Sequence, residues 1–275
     1  MKKLNIEEIK QYSLEVLCTV RDICEQYGIS YSLTGGTLIG AVRHKGFIPW
    51  DDDIDIMIPR PDYDKFIQVV KEHPEFPIRV LAEEIYDGEY PYAFAKACHP
   101  DTELIEKDTM DSEIKLGVYV DIFPVDGMGN GYRRAKIRTM KFQFLHGLKI
   151  SSNWTKFRRS KLRSWYYEPF RYVCYVFSKI LGRKRIKRWL DKFVRKIPFE
   201  TAGYAGRLVG DFGSREVMEK SIFLKTVKLE FEGQMFDAIE DYDTFLTRLY
   251  GTYMQLPPIE KQVTHHEFEA YRVSE

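Results

Sequence analysis

A chain of 275 residues is long enough for one large domain or two small ones. Apolar residues make up 44% and aromatics 15%, so a sizeable core can be buried and global disorder is excluded. The net charge of +1 argues against a nucleic-acid or membrane partner, yet that sum conceals opposed regions. Residues 1–132 carry 13 Lys+Arg against 25 Asp+Glu, net −12; residues 133–196 carry 21 against 2, net +19; residues 197–275 carry 8 against 14, net −6. An acidic body therefore holds a basic insert. Cys18, Cys24, Cys98 and Cys174 are scattered, with no C-x-x-C. That excludes a cysteine zinc site and a disulfide framework, and predicts a reducing cytoplasm. The N-terminus lacks the apolar run of a leader, and no apolar stretch reaches the ~18 residues of a spanning helix.

In chain order, apolar positions from Ile6 to Tyr27 recur at i, i+3/i+4 and predict an amphipathic helix. Asn5 and Glu8 form a capping box at its start, and Gly28 stops it. Residues 29–33 predict a short strand, 38–42 a short helix, 54–58 a strand and 62–72 a helix started by Pro61. Further strands are expected at 78–81, 92–97 and 118–123. Gly127, Gly129, Asn130 and Gly131 read as a flexible break, with Asp126 as a turn residue before it. Residues 132–196 are helical, basic and aromatic. A hairpin over 223–231 and 234–238 turns at Glu232-Gly233, and a closing helix covers 241–249. The fold class is α+β, with the domains expected at 1–131 (catalytic core), 132–200 (basic helical insert) and 201–275 (a segment returning to the core).

The most informative stretch is Trp50-Asp51-Asp52-Asp53-Ile54-Asp55-Ile56. Alternation along a strand puts Asp53 and Asp55 on one face, with Asp51 joining if the strand starts early and Asp52 facing away. Adjacent carboxylates repel, and a hard divalent cation such as Mg²⁺ or Mn²⁺ relieves that cost. The alternative is an acidic strand edge that resists aggregation. Asp121 is the one acid in the apolar run Val118–Phe123 and completes a facial site if that strand pairs beside 54–58.

Thr34-Gly35-Gly36-Thr37 lies between a strand and a helix. Backbone N–H groups there can approach a phosphate, although the same dipeptide also makes an ordinary tight turn. Arg43-His44-Lys45, between the glycines and the acids, supplies a planar fork, an imidazole and a point charge for phosphate oxygens; a solvated loop is the alternative.

Strand, Gly-Gly, helix, D-x-D strand and a later Asp together resemble the nucleotidyltransferase fold. The string Gly36-Thr37-Leu38-Ile39-Gly40-Ala41-Val42-Arg43-His44-Lys45-Gly46-Phe47-Ile48-Pro49-Trp50-Asp51-Asp52-Asp53-Ile54-Asp55-Ile56 is more specific. It resembles the LicD-type phosphocholine transferase family, which includes relatives of fukutin. Val120-Asp121-Ile122-Phe123-Pro124-Val125-Asp126-Gly127 and the run from Phe231-Glu232-Gly233 to Leu256-Pro257-Pro258 also match. The resemblance implies a mixed-sheet core and transfer of phosphocholine from CDP-choline to a sugar hydroxyl of a lipid-linked, cell-surface glycan precursor of teichoic-acid or lipopolysaccharide type, with release of CMP. It also implies Mg²⁺ on Asp53, Asp55 and Asp121. Asp121 is the candidate proton acceptor, and Gly35, Gly36, Thr37, Arg43, His44 and Lys45 are the candidate phosphate contacts. A quaternary ammonium donates no hydrogen bonds, so choline calls for an aromatic cage; Trp50 and Tyr92 are the candidates, with core packing as their alternative role.

Two further readings keep the enzyme but change the chemistry: transfer of ribitol or glycerol phosphate from a CDP carrier, and synthesis of a CDP adduct. A fourth is a non-catalytic basic protein at a membrane surface. The basic, aromatic middle suits an anionic membrane surface at the inner face of the cell membrane, or neutralises the acidic body; no nucleic-acid motif accompanies it. His265 and His266 lie in a polar tail, either as substrate contacts or with no role at all.

Overall fold

The structure, a computed structural model, describes residues 1–86, 90–106, 114–159, 165–210, 212–263 and 268–273. A two-residue strand, β1 (Lys2–Lys3), precedes helix α1 (Ile6–Tyr27). The capping box is present: Asn5 Oδ1 accepts from the Glu8 N–H at 2.9 Å and Glu8 Oε2 accepts from the Asn5 N–H at 2.9 Å. Gly28 closes the helix at φ 59°. Next come β2 (Ser32–Leu33), α2 (Gly35–Arg43), β3 (Asp55–Pro59), α3 (Arg60–Glu72), β4 (Arg79–Leu81) and the one-turn α4 (Glu83–Tyr86). Then β5 (Ala95–Cys98), β6 (Thr102–Glu106) and the long β7 (Tyr119–Gly129) lead into the basic helices. These are α5 (Tyr132–Asn153), α6 (Glu168–Leu181) and α7 (Arg183–Val194). The chain closes with β8 (Tyr204–Gly206), β9 (Met218–Glu219), the hairpin β10 (Thr226–Phe231) and β11 (Gln234–Ile239), α8 (Tyr242–Tyr250) and β12 (Phe268–Arg272).

The main mixed sheet runs β10-β11-β2-β3-β7-β5-β4, with β8 and β9 extending from β7. β11 pairs with β2 in parallel and β3 with β7 in parallel; the other pairs are antiparallel. The returning C-terminal hairpin thus lies in the same sheet as the N-terminal strands. A small antiparallel sheet, β1-β12-β6, lies apart from it. α1 and α3 pack on the main sheet, and Leu17, Val20, Leu33, Ile56, Ile58, Phe66 and Val120 share its core. The α+β class holds, with a mixed sheet at its centre.

Three expectations need correction. The break at 127–131 is mostly strand: Gly127 and Gly129 belong to β7 and pair with β8. The glycine serves close approach there, since a Cβ on Gly127 would lie 2.6 Å from the Ile197 carbonyl oxygen. Asp126 is no turn residue either. It is buried on β7 and takes a bidentate ion pair from Arg60, at 2.7 and 3.2 Å. The strand expected at 92–97 starts only at Ala95, because the preceding aromatics pack as a cluster instead. β6 and β12 carry no clear alternation, and the reading missed them. His265 and His266 lie outside the described residues.

Candidate active site

β3 begins at Asp55, so Asp51, Asp52 and Asp53 precede the strand. Strand alternation therefore does not govern them, and Asp52, expected to face away from Asp53, gathers with it instead. The chain bends after Ile48, whose carbonyl accepts from the Asp51 N–H at 2.9 Å. One carboxylate oxygen from each of Asp51, Asp52 and Asp53 lies within 4.8 Å of the others. Asp52 is buried. Asp121 stands opposite Asp55 in the parallel register of β3 and β7, so two carboxylates from adjacent strands meet at one level. The apolar strand with its lone acid does lie beside the D-x-D strand.

The start of α2 is strapped to this end of the sheet. The Thr34 N–H donates to the Asp55 carbonyl at 3.0 Å, and the Asp55 N–H donates to Thr37 Oγ1 at 2.8 Å. The expected loop before the helix is the first helical turn itself. Gly35 has φ 59°, and a Cβ there would lie 2.5 Å from Asp55 Oδ2; a Cβ on Gly36 would overlap Asp51 Oδ2. The two glycines thus let the N-terminus of α2 close on two carboxylates, where the helix dipole favours negative charge.

Burial first, then the charges of Asp53, Asp121 and Asp51, raise the Asp55 carboxyl well above the usual range; Arg207 opposes the shift. Such a site favours a proton or a cation. Two buried cations border it. Lys96 sits opposite Asp121 on β5 and donates to Asp121 Oδ1 at 2.7 Å. Its Nζ lies 3.4 Å from the Tyr119 ring centroid, 4.9 Å from Tyr92 and 5.4 Å from Phe94. Arg207 is buried against Glu216 through two hydrogen bonds of 3.0 and 2.9 Å and stacks over Phe123. The sequence reading missed both. A lone Lys in Ala95-Lys96-Ala97-Cys98 was a usable signal; Arg207 carries none, because its partners come from other segments.

The basic triplet lies at the far end of α2, about 13 Å from Gly35 at 1.5 Å per residue. Arg43 Nη1 donates to the Tyr253 carbonyl at 2.5 Å and the Gln255 carbonyl at 3.3 Å, and its Nε donates to His44 Nε2 at 2.9 Å. Burial, then the charge of Arg43, lowers the His44 pKa. The Lys45 carbonyl accepts from the Glu232 N–H at 2.9 Å. Gly35, Gly36 and Thr37 meet the acids, while Arg43 and Lys45 tie the end of α2 to the C-terminal segment and His44 accepts from Arg43. Trp50 packs on the main core and Tyr92 on the second, smaller core beside Tyr90 and Phe94. The Tyr92 face already looks onto an ammonium, that of Lys96.

A mixed sheet with acids gathered at the ends of β3 and β7, beside a Gly-Gly helix start, defines a nucleotidyltransferase-like enzyme domain. The comparisons agree: residues 28–176 match the family profile "LicD/FKTN/FKRP, nucleotidyltransferase domain". The chain belongs to the LicD family. It is similar to the lipopolysaccharide cholinephosphotransferase LicD of Haemophilus influenzae, with 35% identity over 98% of this chain and 99% of that protein. It is also 50% identical over 36 residues to human ribitol 5-phosphate transferase FKRP, a match to 13% of this chain and 7% of that protein. An uncharacterized protein of Rickettsia typhi matches 31% of this chain and 28% of its own length at 36% identity.

Proposed function

We propose that this enzyme transfers phosphocholine from CDP-choline to a sugar hydroxyl of a lipid-linked glycan precursor, of lipopolysaccharide or teichoic-acid type, releasing CMP at the inner face of the cell membrane. The full-length similarity to the Haemophilus enzyme supports the transferred group. The observation that carries the chemistry is the crowding of Asp51, Asp52, Asp53, Asp55 and Asp121 at the N-terminus of α2.

These carboxylates fit Mg²⁺ or Mn²⁺. They offer hard oxygen donors, burial and then their mutual charge raise Asp55, and glycine replaces any side chain that would block them. Asp53, Asp55 and Asp121 would hold the ion, with Asp51 and Asp52 as neighbouring donors. When bound, the ion neutralises pyrophosphate charge and acts as a Lewis acid. The protein's own groups do the rest. The first-turn N–H groups of α2 at Gly35, Gly36 and Thr37 hold phosphate oxygens whose charge grows in the transition state. Asp121, held through Oδ1 by Lys96, takes the proton of the acceptor hydroxyl as that oxygen bonds to the choline-bearing phosphorus. The bond from that phosphorus to CMP breaks. Trp50, next to the acids, is the aromatic wall for choline.

The FKRP match favours a second reading, in which ribitol phosphate is the group transferred. Mass spectrometry of products separates the two after CDP-choline, CDP-ribitol and glycolipid acceptors are offered with Mg²⁺. The expected products are CMP and an acceptor heavier by phosphocholine. A ribitol-phosphate adduct alone supports the second reading, and pyrophosphate release from CTP supports a nucleotidyltransferase. No product from any donor sinks the catalytic reading.

A further inference from the structure

Helix α6 has its amphipathicity turned outward. Phe170, Val173, Phe177 and Ile180 follow i, i+3, i+7, i+10 spacing on one face, and all are exposed: 60%, 63%, 49% and 74%. Trp165 and Tyr166, in the short turn before the helix, are also exposed. The inward side is polar. Ser178 is fully buried, the Tyr175 hydroxyl donates to the Thr155 carbonyl at 3.1 Å, and Lys179 donates to the Ser152 carbonyl at 2.9 Å. A soluble helix normally presents the reverse, and a contiguous exposed apolar face marks an interaction surface. After one residue, Gly182, α7 begins. It buries Ile186 and Leu190 and exposes Arg183, Lys184, Arg185, Arg188 and Lys192.

We propose that the apolar face of α6 and the basic face of α7 together dock this enzyme on the surface of an anionic lipid bilayer. Charge selects this occupant. A second copy packed through the same face would bring one +19 insert against another, whereas acidic headgroups complement it. Aromatic and aliphatic side chains enter the headgroup boundary while Lys and Arg remain at the phosphates. Among the described residues no helix is long and apolar enough to cross a membrane, so α6 lies in the interface. The purpose of docking rests on the proposed lipid-borne acceptor, but the binding itself needs neither donor nor acceptor.

The test is co-sedimentation of the full chain with sucrose-loaded vesicles that contain no glycolipid. The protein should pellet with phosphatidylglycerol/phosphatidylcholine vesicles, remain in solution with pure phosphatidylcholine, and be released by high salt. V173D/I180D, at two exposed positions, should keep the wild-type melting temperature and lower partitioning by about tenfold or more. Should that variant misfold, R183E/R185E provides the same reading through charge, with an equal loss expected. The proposal is overturned if the wild type ignores anionic vesicles or if a folded variant binds as well as the wild type. It is equally overturned if the α6 substitutions split a dimer seen by analytical ultracentrifugation instead of abolishing lipid binding. A vesicle failure leaves the transfer assay with soluble acceptors intact, and a transfer failure leaves vesicle binding intact.

Discussion

The acidic end of the main sheet and the basic helical insert treat charge in opposite ways. At the sheet end, like charges are crowded together and partly buried, with Lys96 and Arg207 enclosed nearby as counter-charges. In the insert, most charges face water and apolar rings stand exposed beside them. Neither arrangement maximises stability. Crowded acids cost folding energy that a bound cation returns, and exposed rings forgo burial that a bound surface returns. The two regions therefore suit the two partners proposed for them, a divalent cation and a lipid surface.

Breaking the acidic region should have the largest effect. Asp55→Asn removes the carboxyl shared between the strand pair and the glycine turn. CMP release should fall about 1000-fold, the loss that several kcal/mol of transition-state stabilisation implies, with an unchanged fold by circular dichroism. Turnover near wild type in the folded variant removes the assignment.

The joint between the regions comes second. Lys149 of α5 donates to Glu83 of α4 at 2.6 Å, and both residues are buried. Burial pushes Glu83 up and Lys149 down, each opposed by the other's charge. Lys149→Met leaves Glu83 unpaired and should cost about 3–5 kcal/mol in urea unfolding, with the double variant Lys149→Met/Glu83→Leu recovering much of it. A cost below about 1 kcal/mol would mean that the insert is not anchored there.

The third prediction sharpens the acidic side through pH. Because the fold raises Asp55, the native state binds more protons than the unfolded chain as pH climbs out of the usual carboxylate range. Stability is therefore lost with rising pH through that interval. Mg²⁺ should restore it: at a hundredfold excess over its Kd the gain is about 2.7 kcal/mol, read as a higher melting temperature. The gain should shrink as pH falls and Asp55, whose carboxyl the fold raises, takes up its proton. A melting temperature that ignores Mg²⁺ at neutral pH contradicts a cation site.

Local patterns were legible because their causes are local. Asn5, Glu8 and Gly28 bound α1 through contacts within one turn. Glu232-Gly233 turns the β10–β11 hairpin with φ of 50° and 71°. The acids, the glycines and Asp121 stood out by composition and spacing. Their assembly was less legible. Alternation predicted Asp53 near Asp55, and its charge does act on Asp55, but the strand starts only at Asp55 and a bend also gathers Asp51 and Asp52 with Asp53. Arg43 reads as a phosphate fork in the sequence, and in the fold its Nη1 donates to the Tyr253 and Gln255 carbonyls, which no local rule connects to it.

By itself, then, the sequence determined which segments could be helix or strand, which family the chain resembles, and that acidic and basic regions alternate along it. Capping, periodicity and turn conformation act over a few residues, and short-range physics suffices to read them. Only the tertiary structure decided which charges share a site. The pairing of β3 with β7 brings together Asp55 and Asp121, 66 residues apart, and β5 adds Lys96 beside them. It likewise decided that the apolar face of α6 looks outward. A helical pattern records that one face is apolar, and only packing shows whether the protein covers it.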